Sequence, residues 1–156
     1  MEQKINTELD TKPIPVPIIY QPIYKLILLL AILKYGTAKP YNSIFLKIHL
    51  YMWGLRSVEN LEVLKDLKKG IRNSISPWTF EPGLEKTITL AIINDLCTRE
   101  VKSNELKIQL TPLGESFILK IEKSKHFIED FQKIKSIGII PQNVIQSANH
   151  NWKINL

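Results

Sequence analysis

Residues 26–33 read Leu-Ile-Leu-Leu-Leu-Ala-Ile-Leu, eight consecutive apolar residues and the longest such run in the chain. A helix built on such a run has no polar stripe to turn towards water, so it must be enclosed by protein on every side. The run is also far short of the roughly 18 residues that a membrane span requires. Its flanks set the limits. Gln21-Pro22 opens the helix, with proline where a missing N–H costs nothing, and Gly36 stops it after Tyr35. The chain is therefore expected to wrap itself around one central helix from about Ile23 to Tyr35.

The remaining composition suits that role. With 156 residues, 44% apolar and 23% charged, the chain has enough material for one globular domain with a core of its own. One cysteine, Cys97, can form no internal disulfide and no zinc site alone. A disulfide-stapled secreted scaffold is excluded, and a reducing cytoplasm is the expected compartment. Met1 to Asp10 mixes Lys4 with Glu2, Glu8 and Asp10, so no signal peptide is expected there.

Before the central helix, Thr11 to Tyr20 alternates Pro13, Pro15 and Pro17 with apolar residues, which predicts an extended arm over residues 1–21. After it, Asn42 or Ser43 should cap a second helix on which Ile44, Ile48, Tyr51, Met52 and Leu55 recur at helical spacing. Ser57 caps a third, with Leu61, Leu64 and Leu67 inward, acids early, lysines late, and Gly70 at its end. An ordered loop follows to Gly83, then a fourth helix from Leu84 to Arg99. Val101 to Leu110 alternates Leu106, Ile108 and Leu110 with polar residues around a Ser103-Asn104 turn, predicting a small hairpin. Thr111-Pro112 opens a further helix, another spans about Ser124 to Lys135, and a short one follows Pro141. The expected fold is mostly α with a small β-hairpin. Residues 22–138 form the domain, and residues 139–156 form a tail packing on it, with an apolar end around Trp152.

The net charge of +6 is unevenly placed. Residues 1–78 hold eleven Lys/Arg against six Asp/Glu, and Lys34 to Arg72 alone hold eight against three. Lys65, Lys68, Lys69 and Arg72 would share one helical face if the third helix ran through Gly70, and such a stripe can neutralise backbone phosphates. Arg99, Lys102 and Lys107 around the hairpin could add contacts. The alternative for all seven is a solvated, solubilising face. Among aromatics, Trp53, Trp78 and Phe80, with Arg56, are the candidates for a partner interface, because Trp and Arg dominate interface hot spots. Trp53 competes with a plain core role, and Trp78-Thr-Phe80 sits on a proline-flanked loop.

No catalytic constellation is expected. His49, His126 and His150 lie far apart, no paired-ligand spacing exists for a metal, and the six glycines form no phosphate-binding loop. A site assembled from distant residues stays open. No cofactor is expected.

Two resemblances bear on function. The order of helix, hairpin and then Leu110-Thr111-Pro112-Leu113-Gly114 opening a helix resembles the C-terminal part of winged-helix domains. In many repressors of that class a Leu-Thr-x-x-Gly step follows the last wing strand. This resemblance covers residues 84–122, places the recognition helix at Ala91 to Arg99, and implies a winged-helix-like domain. The helix offers Thr87, Thr89, Asn94, Asp95 and Thr98 and no arginine before Arg99, a poor set for reading bases. Residues 22–57, ending in Trp53-Gly54-Leu55-Arg56-Ser57, resemble the middle components of ABC three-component, Lamassu-like antiphage systems, with Gly54 where alanine is usual. That resemblance implies a non-enzymatic adaptor bridging an SMC/Rad50-like ATPase and an effector such as a nuclease; the local basic patch adds the expectation of DNA-backbone contact. The alternative is a winged-helix DNA-binding transcriptional regulator.

Overall fold

In the structure, a computed structural model that describes residues 21–154 together with Pro15 and Pro17, the apolar run is the middle of α1 (Pro22–Gly36). Leu26 to Leu33 are all buried, and Leu29 to Leu33 have no exposure at all. Around α1 follow β1 (Asn42–Ile44), α2 (Phe45–Gly54), α3 (Val58–Lys69), α4 (Leu84–Ile93), β2 (Cys97–Lys102), β3 (Glu105–Leu110), α5 (Pro112–Lys123), α6 (Ile128–Ile137) and α7 (Gln142–Ile154). Helices α2, α4, α5 and α6 and strand β3 all pack on α1. The arm expected over residues 1–21 lies outside the described residues except for Pro15, Pro17 and Gln21, and so does the side chain of Trp152.

The three strands form an antiparallel sheet in the order β1-β3-β2. β2 and β3 are a hairpin whose turn residues, Ser103 and Asn104, have φ of 54° and 61°, the pair of positive angles of a two-residue primed turn. β1 joins the other side of β3, with Asn42 opposite Gln109 and Ile44 opposite Lys107. A helix, a strand, three helices and a hairpin that the first strand completes make a mostly helical, winged-helix-like fold.

Several local expectations meet their partners. Ser57 accepts a hydrogen bond from the Asn60 N–H at 3.1 Å and Gly70 ends α3 with φ 73°. Thr111 caps α5 by accepting from the Gly114 N–H at 2.9 Å and also donates to the Asp95 carbonyl at 2.6 Å. Gly114 is glycine for room: a Cβ there would stand 2.1 Å from the Leu96 carbonyl oxygen. At Gly54 a Cβ would meet Leu64 Cδ1 at 2.3 Å, so the departure from alanine goes with a leucine packed on α2.

Other boundaries move. Asn42 and Ser43 do not cap a helix; they belong to β1, and α2 starts at Phe45 behind Ile44 with no side-chain cap. The fourth helix stops at Ile93 rather than Arg99. Asp95 takes φ 57°, its N–H donates to the Ile92 carbonyl and the Leu96 N–H to the Ala91 carbonyl. That is a Schellman closure built on aspartate instead of glycine. The chain is thereby free to enter β2 at Cys97, four residues before the strand expected from Val101. The sixth helix begins at Ile128, after Lys125 turns the chain with φ 61°. α7 runs 13 residues and buries Ile145 and Ala148 in the common core.

Candidate docking surface

The loop between α3 and α4 carries two aromatics and two prolines, and the fold pins it from three sides. Glu81 is the pin. Its carboxylate accepts from Arg56 at 2.6 Å and from Lys25 at 2.9 Å. Arg56, just past α2, also donates to Thr79 Oγ1 at 2.9 Å and to the Phe80 carbonyl at 3.4 Å. Lys25 of α1 reaches the Pro82 carbonyl at 2.7 Å. The Glu81 N–H donates to His49 Nδ1 on α2 at 2.9 Å. Burial works to raise the Glu81 carboxyl, but the hydrogen bonds and charges of Arg56 and Lys25 outweigh it and hold the group below the usual carboxylate range. Burial lowers the pKa of His49, so at neutral pH its Nδ1 is free to accept that bond.

On this base sits an aromatic pair. Phe80 lies 4.6 Å from the His49 ring and 5.1 Å from Trp78, edge-on to the latter, and remains 64% exposed. Trp78 is half-buried and donates from Nε1 to Asn149 on α7 at 3.0 Å. Beside the clamp a cavity of about 480 Å³ is lined by Tyr24, Leu28, Met52 and Leu55 together with the Lys25–Glu81–Arg56 cluster. A large ring held out from a fixed loop, beside an apolar hollow with charged groups, is chemically a binding surface.

Of the four interface candidates, Arg56, Trp78 and Phe80 are thus brought together. Trp53 is not with them: it is 6% exposed inside the core, and its carbonyl accepts from the Asn60 side chain at 3.0 Å. Sequence reasoning missed Lys25, His49 and Glu81, which come from separate elements. The only local sign was Glu81 itself, an acid set between Phe80 and Pro82.

The basic candidates fare differently. α3 ends at Lys69 and Gly70 turns the chain, so Arg72 leaves the stripe that Lys65, Lys68 and Lys69 begin. Lys65 is paired with Glu62 at 2.8 Å. Of the eight bases between Lys34 and Arg72, three tie parts of the fold together: Lys34 pairs with Glu115, Lys47 is buried and Arg56 holds Glu81, while Lys65 holds Glu62 on the surface of α3. On the hairpin, Lys107 stands opposite Glu100 and Lys102 opposite Glu105, while Arg99 is exposed opposite Ile108. Glu105 also accepts from Gln142 and Gln146, which ties the hairpin to α7. On α4, Thr87 is buried and donates to the Gly83 carbonyl, and Thr98 belongs to β2; neither stands on a helix face for base contact.

Cys97 is buried at the start of β2, and burial pushes its thiol up to about 12, which removes it as a nucleophile near neutral pH. Among the described residues no cluster of His, Cys, Asp and Glu is placed to hold a metal, and no helix is long and apolar enough to cross a membrane. The chain matches no family model, no curated protein and no solved structure.

Proposed function

We propose that this chain is a non-enzymatic adaptor that docks between an SMC/Rad50-like ATPase and an effector such as a nuclease, as the middle component of a Lamassu-like three-component antiphage complex. The observation that carries the docking role is Phe80, an aromatic ring 64% exposed on a loop already fixed by Arg56, Lys25 and His49. Pre-organised aromatics cost little entropy on binding and are typical interface anchors. The resemblance over residues 22–57 supplies the identity of the partners. The step that carries it has a physical role in this fold: Trp53 is core, Arg56 clamps the loop and Ser57 caps α3.

DNA-backbone contact is an accessory of this reading, because four of the eight local bases are already paired or buried within the chain. The adaptor works in the cytoplasm with its two partners. Co-expression with the products of the neighbouring genes is the test, an SMC/Rad50-like ATPase and an effector being expected among them. A complex surviving size exclusion is expected, and Phe80→Ala should weaken it by about tenfold or more. A monomer that ignores both partners would defeat the proposal. A sequence-dependent mobility shift that survives competitor DNA would replace it with the regulator alternative.

A further inference from the structure

A second groove lies across α1 from the clamp. Ile23 and Leu26 of α1, Leu90 and Asn94 of α4 and the stripe Leu113, Ser116, Phe117 and Lys120 of α5 line a hollow of about 430 Å³. On a helical wheel Ile23 and Leu26 point roughly 180° away from Tyr24, Lys25 and Leu28, which line the cavity beside Glu81. The molecule therefore presents two hollows on opposite sides of the same helix end.

The rim of this groove is apolar and exposed. Leu113 is 56% and Ile23 50% exposed, and Ile93, next to Asn94 at the end of α4, is 73% exposed. Its charge has one sign. Lys120 is the charged side chain that lines it among the described residues, and Lys123 joins Lys120 along a shallower depression on the same helix. Neither lysine makes a salt bridge among the described residues, whereas Glu115, the acid in that depression, is already paired with Lys34.

We infer that this groove receives an amphipathic α-helix of a partner protein, with an apolar face against Leu90, Leu113 and Phe117 and acidic side chains along the flank facing Lys120 and Lys123. A wall of residues at i, i+3, i+4 and i+7, as on α5, is the surface into which a helix packs by its own three- and four-residue ridges. These two cations, without a salt bridge among the described residues, select the sign of the flank, since like charges there would be repelled and neutral ones would leave the attraction unused. The inference rests on the adaptor reading in one respect: a bridge needs two separate docking surfaces, and this is the second.

The test uses the isotope-labelled full chain and two synthetic amphipathic peptides of about five helical turns, identical except that one carries glutamates and the other lysines on the polar flank. The acidic peptide should perturb the amide signals of Leu90, Asn94, Leu113, Ser116 and Phe117 and bind about tenfold more tightly than the basic one. Lys120→Glu combined with Lys123→Glu should reverse that order. Leu113→Asp, at an exposed site that the fold tolerates, should weaken both peptides. Equal binding of the two peptides, or perturbation confined to other surfaces, overturns the inference. So does a concentration-dependent dimer that Leu113→Asp abolishes, which would make a second copy the occupant. Binding that appears only after residues 1–20 are cleaved away would assign the groove to the chain's own N-terminal segment. Phe80→Ala should leave these titrations unchanged. Failure of the unsubstituted chain to form the ATPase and effector complex, with intact peptide binding, would remove the adaptor reading alone.

Discussion

Lys47 shows how a single residue escapes sequence reasoning. It counts among the bases of the positive first half, yet it is 6% exposed, its Nζ donates to the Ile140 carbonyl at 2.8 Å and it lies 5.6 Å from the centre of the Tyr51 ring. Burial lowers its pKa from 10.5 to about 8. The folded state therefore gives up this proton before the unfolded state does, and stability should rise as pH climbs from about 8 towards 10.5. At still higher pH the sign reverses. Tyr24, Tyr35 and Tyr51 are all raised above their ordinary 10, first by burial, so the unfolded chain ionises them earlier and gains. Urea midpoints from pH 7.5 upwards, read against Lys47→Met, check this (about 3 kcal/mol at most across the rise). A rise that persists in Lys47→Met would refute the assignment. Arg56 and Phe80 were legible as interface types from their chemistry. Glu81 and Lys25 were not, because an ion pair between residues so far apart in the chain has no local signature.

At the scale of elements, chemical signals that act within a few residues were readable. Pro22, Ser57, Gly70 and Thr111 each mark the boundary that they mark in the fold. Boundaries without such a signal were not. β1 has three residues, too few to show alternation, and exists because β3 supplies its partner. The end of α4 has aspartate at the left-handed position where glycine would have announced it. Thr111 links two of these elements, holding the Gly114 N–H of α5 and the Asp95 carbonyl ahead of β2. Thr111→Val should cost about 1–2 kcal/mol, and Thr111→Ser, which keeps both bonds, only a few tenths. Equal urea midpoints for the two variants would show that the hydroxyl does not matter.

For the whole molecule the central helix decides cohesion. Leu30 has no exposure, and α1 touches helices drawn from both halves of the chain. Leu30→Ala should lower stability by about 2–5 kcal/mol, with tryptophan fluorescence and far-UV circular dichroism falling in one coincident transition. Separate transitions would mean that α7, with Trp152 and the Trp78 contact, unfolds apart from the rest. The charge pattern, too, took its meaning only at this scale. The sequence by itself determined a helical domain built round residues 26–33 with a hairpin in its second half, because burial of an all-apolar helix and strand alternation are local demands. Tertiary structure alone decided which bases are free, that Trp53 is core while Phe80 is displayed, and that two hollows flank α1. Those outcomes depend on which distant residue satisfies each charge and covers each apolar face, and no spacing along the chain encodes that choice.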